Sequence, residues 1–256
     1  GNGRYALASS SNQTARFDIA ALATGVAGTA LGISLGGGSI GTLPCRVLEF
    51  TDGTSVQFGL GIDASMRFFL YRGTTATVMA TGTTIVPVNN WTYVELKGTI
   101  HNTTGAYELR LNGSATPELI ASGANTRSTA NNQLTGFQLV WPVNTVITGV
   151  VHDDIYFLDT TGAAPYANFL GEVRVQTLPP SGAGSSTQWT PLSSTNVSNI
   201  DDVLLSNGID SDSTYNSSAT AGQIDLFACQ DLTGTPTVLA VAVGWDARKD
   251  DAGARS

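Results

Sequence analysis

The chain is poor in charge, and most of the charge that it has is negative. Only 12% of the residues are charged, and 12 Lys and Arg against 20 Asp and Glu give a formal net charge of -8. A nucleic-acid surface needs clustered basic side chains, so this balance argues against nucleic acid as a partner. Because no uninterrupted apolar run has the length of a transmembrane helix, we expect no membrane insertion either.

Cysteine and histidine are scarce, and this limits the metal and redox chemistry open to the chain. Two cysteines, Cys45 and Cys229, are too few for a disulfide framework, and the sequence is compatible with a pair or with two free thiols. Two histidines, His101 and His152, show neither zinc-site spacing nor a signature of nucleophilic catalysis. We therefore predict no catalytic residues, no bound cofactor and no enzymatic activity.

Long runs of helix-forming residues are missing too, and short alternating segments take their place. In the segment 91–100, Val94 and Leu96 share one face, whereas Glu95 and Lys97 share the other. Further strands are predicted at 30–35, 43–50, 55–73 (a hairpin), 106–111, 133–141, 146–158, 224–228 and 237–245. Segments with one apolar and one polar face predict an all-β fold, an antiparallel two-sheet jelly-roll sandwich.

The composition changes near residue 180, and this change predicts the domain organisation. Residues 181–247 contain seven acidic side chains and no Lys or Arg. We predict a β-sandwich over 1–175, an extended acidic arm over 176–232 and a C-terminal strand segment over 233–256 that could begin a further region. The arm is expected to pack over the sandwich or on a neighbouring subunit; a mobile linker is the alternative.

Four aspartates are weak candidates for a calcium site, because calcium favours clustered oxygen ligands. They are the adjacent pair Asp153 and Asp154 and the alternating pair Asp210 and Asp212. The loop that starts at Asp210 lacks the glycine and the final acid of an EF-hand. Turn formation by Asp and Ser explains both pairs without a metal.

A retaining glycosidase on this type of sandwich would need two carboxyl groups about 5 Å apart. Glu95 and Glu108, on neighbouring predicted strands, are the best candidate pair in the sequence. Lys97 and Arg110 occupy the same faces of these strands and favour ordinary ion pairing instead.

Aromatic side chains can serve as stacking platforms for sugar rings, and two tryptophans are candidates for glycan contact. Trp91 opens a predicted strand, and Trp141 ends one. The alternative for each is a place in the core or at the rim of the sandwich.

Several short runs resemble known families, and their order along the chain strengthens the likeness. The runs 91–97 (WTYVELK) and 109–113 (LRLNG) look like the central hairpin of concanavalin A-like, laminin G-like sandwiches. The runs 153–156 (DDIY), 168–175 (NFLGEVRV) and 189–191 (WTP) resemble structural proteins of tailed-bacteriophage virions.

This resemblance implies a non-enzymatic structural protein located in the virion, as a tail, tail-fibre or capsid-decoration component. Its expected partners are other virion proteins and copies of itself. Two alternatives stay open. One is a glycan-binding module that attaches to a host surface glycan, and the other is a glycoside hydrolase or lyase on the same fold.

Overall fold

The computed structural model describes residues 7–8, 13–35, 45–75, 77–141, 147–201, 213–244 and 247. The strands are β1 (Leu7–Ala8), β2 (Gln13–Leu22), β3 (Thr24–Leu35), β4 (Cys45–Asp52), β5 (Ser55–Ile62), β6 (Arg67–Arg72), β7 (Thr77–Ile85), β8 (Trp91–Thr99), β9 (Gly105–Leu111), β10 (Leu119–Ala124), β11 (Leu134–Trp141), β12 (Ile147–Leu158), β13 (Pro180–Thr187), β14 (Thr190–Pro191), β15 (Asn216–Ser217) and β16 (Asp225–Cys229). The described residues contain no helix, and hence none that could cross a membrane.

The chain divides into two compact units, residues 1–175 and 176–256. In the first unit, two six-stranded sheets form the sandwich, with strand orders β1-β12-β3-β8-β9-β10 and β2-β11-β4-β5-β6-β7. Every strand pairing in them is antiparallel. The predicted all-β, two-sheet sandwich is therefore confirmed.

The core lies between the inner faces of these two sheets, where alternate residues of each strand meet. Phe58 and Leu60 of β5 are fully buried in the same cluster as Leu96 of β8 and Leu109 of β9. Burial of one such side chain contributes about 1.5–3 kcal/mol, so the core needs no covalent staple. Cys45 is a buried free thiol of this cluster and Cys229 is an exposed free thiol; burial raises the pKa of Cys45 to about 12.

Both predicted hairpins are present, because alternation and turn chemistry are local signals. In the turn between β5 and β6, the Asp63 carboxylate accepts hydrogen bonds from the backbone N–H groups of Ser65 and Arg67, at 2.8 and 2.9 Å. The predictions missed β1, β2, β7 and β10 in the first unit and β13, β14 and β15 in the second. The described side chains of these strands are largely half-buried or exposed. The prediction at 30–35 was too short, since β3 begins at Thr24.

The predicted strand at 237–245 is wrong for residues 237–244, which have no strand pairing; residue 245 lies outside the described residues. Its apolar alternation is typical of a strand, but a strand also needs a partner with free backbone groups.

The second unit contains two short ribbons, β13 paired with β16 and β14 paired with β15. Asp225 organises the first ribbon, since its carboxylate accepts from the backbone N–H groups of Gln188 and Trp189 and from the amide of Asn196, at 2.6, 2.8 and 2.5 Å. Partial burial raises the pKa of Asp225, but these hydrogen bonds outweigh it and the pKa is lowered. Polar side chains thus order this unit.

Candidate functional site

The run 168–175, here called the strap, lies against the outer face of the first sheet. The backbone N–H of Gly171 donates to Glu95 Oε1 at 2.8 Å, and that of Val175 donates to Asp154 Oδ1 at 2.8 Å. Near the start of the strap, Lys97 Nζ donates to Asn168 Oδ1 at 3.2 Å. Two of the runs that resemble phage structural proteins, 153–156 and 168–175, therefore contact one another on this sheet.

Glu95 is the centre of this attachment. Its side chain is only 1% exposed, and Oε1 also accepts a hydrogen bond from the Tyr156 hydroxyl at 2.5 Å. Burial, followed by the contact with Glu95, raises the pKa of Tyr156 far above its usual range, so the phenol stays protonated and donates. Glu95, predicted on the solvent side of its strand, is thus buried where both Tyr156 and the strap contact it.

A glycine makes room for the Tyr156 ring on this face. Gly28 of β3 lies opposite both Glu95 and Tyr156 in the sheet register. An added Cβ at Gly28 would collide with the Tyr156 ring, so the ring can lie on the sheet only because position 28 has no side chain.

The candidate glycosidase pair lies on one face but does not form an open site. In the register of β8 and β9, Glu95 opposes Arg110 and Lys97 opposes Glu108. Glu108 binds Arg110 with a 2.7 Å ion pair, as the favoured alternative predicted. The Arg110 guanidinium also lies 4.3 Å from the centre of the Phe169 ring of the strap. Glu95 is enclosed and Glu108 is paired, so neither carboxylate is poised for a substrate.

Of the calcium candidates, Asp153 and Asp154 use their carboxylates in backbone hydrogen bonds. Asp153 Oδ1 accepts from the N–H of Asp154 at 2.7 Å, and Asp154 Oδ1 holds the strap at Val175. The part of the chain that the structure describes contains no group of three or more His, Cys, Asp or Glu side chains suited to a metal. Asp210 and Asp212 lie outside the described residues, and calcium binding stays a prediction.

The two tryptophans proposed for glycan contact have different environments. Trp141 is 3% exposed, belongs to the core cluster and meets the His152 ring edge-on at 5.0 Å between ring centres. Its side chain therefore offers no stacking platform, and the core alternative applies. Trp91 is 37% exposed at the start of β8, with its ring beside Gly32; its glycan contact stays a prediction.

The outer face of the second sheet holds a buried carboxylate that the sequence did not single out. Glu49 accepts from the hydroxyl of Tyr71 and from the amide of Gln138, and Arg46 donates to it at 3.3 Å. Burial, and then the Glu49 carboxylate, raise the pKa of Tyr71 well above its usual range. Alternation along the strand correctly places Glu49 on the outer face, but only the cross-strand register reveals its partners.

The second unit exposes apolar side chains instead of burying them. Val238, Val241 and Val243, here called the valine segment, are 54%, 81% and 80% exposed. The only buried residue among those described in this unit is a polar one, Asn199, whose amide donates to the Tyr215 carbonyl at 2.9 Å. Among its described residues the unit therefore has apolar surface but no buried apolar side chain.

No protein-family model and no curated protein matches this chain. Among solved structures, a Trypanosoma rangeli sialidase is 16% identical with a TM-score of 0.37, over 53% of this chain and 20% of that one. An alginate lyase mutant in complex with alginate tetrasaccharide is 10% identical with a TM-score of 0.40, over 56% and 72% of the two chains. A SAP-like pentraxin from Limulus polyphemus is 11% identical with a TM-score of 0.37, over 62% and 72%. Likeness at this level bears on neither activity nor ligands.

Proposed function

We propose that this chain is a non-enzymatic structural protein of a tailed-bacteriophage virion, in the tail, a tail fibre or the capsid decoration. It contacts copies of itself and other virion proteins through its second unit. The proposal depends on the exposed valine segment, which lies in a unit whose described residues include no buried apolar side chain.

Physical chemistry supports an assembly role for this unit. A single two-stranded ribbon is marginally stable in water, and its unpaired edges present backbone groups to another chain. Extended apolar segments of this kind gain stability when they add to a neighbouring sheet edge or lie in a groove. Copies of the chain supply both kinds of surface in a symmetric oligomer.

The first unit supports the same proposal as a rigid platform. Its candidate acids are engaged in holding the strap or in ion pairs. Two of the runs by which the sequence resembles virion proteins, 153–156 and 168–175, are the strap and its attachment points. A face that is covered in this way suits a durable scaffold better than a catalytic cleft.

The oligomer is tested by replacing the valine segment. We expect the full chain to form an oligomer. In the double variant Val241→Asp with Val243→Asp, the concentration below which the oligomer dissociates should rise about tenfold or more, because an apolar interface does not tolerate buried charge. Size-exclusion chromatography with light scattering over a dilution series measures this shift.

Ile120→Asp is the matched control, since Ile120 is a similarly exposed apolar residue in the first unit. It should leave the oligomer unchanged. A wild-type chain that is monomeric at high concentration, or a double variant with the wild-type dilution curve, would contradict the assembly role.

The virion location needs a separate measurement. Antibodies against the recombinant chain should label purified phage particles at regular positions in negative-stain electron microscopy, and mass spectrometry should detect the chain in the same particles. Its absence from purified particles that carry the gene would overturn the proposed location.

A further inference from the structure

A polar pocket lies at one end of the sandwich, where three loops meet. It has a volume of about 310 Å³, at the small end of the range for ligand sites. The pocket is lined by Arg72, Gly73, Thr75, Thr77, Asn102, Asn125, Arg127, Ser128 and Thr129. These belong to the β6–β7 turn, the β8–β9 turn and the β10–β11 loop. Two arginines and no acid line it, although the chain as a whole is acidic.

Arg72, the last residue of β6, supplies an uncommitted guanidinium. Among the described residues the Arg72 side chain makes neither a hydrogen bond nor an ion pair. The Arg127 side chain, in contrast, donates from Nη1 to the Ala130 carbonyl and to the Asn132 side chain of its own loop, both at 3.1 Å. A guanidinium without a protein partner is free to form two parallel hydrogen bonds with a carboxylate. Arg72 is therefore the group in this pocket that is available to an anion.

A buried glutamine fixes the loop that forms one wall of the pocket. Gln57 Oε1 accepts from the backbone N–H groups of Ser128 and Thr129, at 2.6 and 3.0 Å. Its Nε2 donates to the Thr129 hydroxyl at 2.9 Å and to the carbonyls of Asn131 and Gln133, at 3.0 and 2.8 Å. Five hydrogen bonds from one side chain hold the loop before any ligand arrives.

The other two walls contact this loop directly. The Thr126 hydroxyl donates to the Thr99 carbonyl at 2.6 Å and accepts from the His101 N–H at 3.0 Å, which joins the β10–β11 loop to the β8–β9 turn. At the β6–β7 turn, Gly73 adopts a φ of +71° and lies close to Ser128, so that an added Cβ would stand 2.6 Å from Ser128 Oγ. The pocket is thus preorganised, which lowers the cost of binding.

We infer that this pocket binds an acidic saccharide, a sugar ring that carries a carboxylate. Arg72 would hold the carboxylate, and the surrounding Thr, Ser and Asn side chains provide the donors and acceptors that ring hydroxyls need. A simple inorganic anion would also accept hydrogen bonds from these groups, but it lacks the several ring hydroxyls that can donate to the Thr, Ser and Asn oxygens of the lining. The site lies in the first unit and does not depend on the proposed virion role.

The test uses the full chain with glucuronate as the probe, its neutral counterpart glucose, and inorganic phosphate. Backbone amide chemical shifts in nuclear magnetic resonance titrations report the affinity and the site together. We expect glucuronate to shift residues of the three loops and to bind at least about tenfold more tightly than either glucose or phosphate. Added salt should weaken this binding, because the contact is partly electrostatic.

Two substitutions at Arg72 separate charge from geometry. Arg72→Gln should weaken glucuronate binding about tenfold or more and leave any response to glucose unchanged, whereas Arg72→Lys should recover part of the loss, since lysine keeps the charge without the planar fork. Arg174→Gln is the control, because this arginine is 73% exposed and is not among the residues that line the pocket. Equal affinity for glucuronate and phosphate, or glucuronate binding that survives Arg72→Gln, would overturn the inference.

Discussion

Replacing Glu95 by Ala should destabilise the sandwich by about 3 kcal/mol or more. The substitution leaves two partly buried donors, the Tyr156 hydroxyl and the Gly171 N–H, without their acceptor. An unsatisfied buried group costs about 1–3 kcal/mol. The cavity left by the side chain adds to this cost. Urea unfolding of the full chain, followed by circular dichroism and tryptophan fluorescence, measures the loss.

Two companion variants show whether the strap causes this effect. Glu95→Gln keeps a carbonyl oxygen for both donors, so it should cost less than Glu95→Ala. Glu108→Ala removes the neighbouring acid of the same face, whose ion pair with Arg110 is only partly buried; we expect about 1 kcal/mol or less. If Glu95→Ala were as mild as Glu108→Ala, the strap would not depend on this carboxylate.

Much of the sandwich could be predicted from the sequence, because strand alternation is a local property. Val94 and Leu96 indicate the inner face of β8 by their spacing alone, and Asp63 signals the turn of the β5–β6 hairpin. Strand order and register depend instead on partners far apart in the chain. β3, for example, pairs with both β8 and β12.

The strap and the pocket could not be predicted from local alternation, because both depend on contacts between residues far apart in the chain. Gly171 and Glu95 are 76 positions apart, and the residue pattern around neither of them predicts that they make contact. Gln57 reaches a loop more than 70 positions away, and its alternating position in β5 predicts only which face it occupies. Arg72 stands before a tight turn, and nothing in the sequence around it indicates a pocket. The pocket is formed only where three loops meet in the fold.

The stability of the sandwich should depend on pH through His152. This side chain is 1% exposed; one ring nitrogen lies 3.3 Å from the Val140 carbonyl oxygen and the other 3.5 Å from the Thr29 hydroxyl. Burial lowers the pKa of His152 to about 4, and the hydrogen bond with Val140 offsets only part of this effect. The folded protein therefore holds a neutral imidazole in conditions where the unfolded chain, with a histidine pKa of about 6.5, is protonated.

Because the unfolded state binds the extra proton between about pH 6.5 and 4, the contribution of His152 is complete above this window and is lost as the pH falls through it. We expect the free energy of unfolding to drop by about 2 kcal/mol between pH 7.5 and 5, a range in which ordinary carboxylates stay largely ionised. His152→Gln keeps a donor and an acceptor but cannot titrate, so its stability should change far less over the same range. The control His101→Gln, at a half-exposed turn position, should show the same fall in the free energy of unfolding as the wild type. If His152→Gln also showed this fall, another group would be responsible for it.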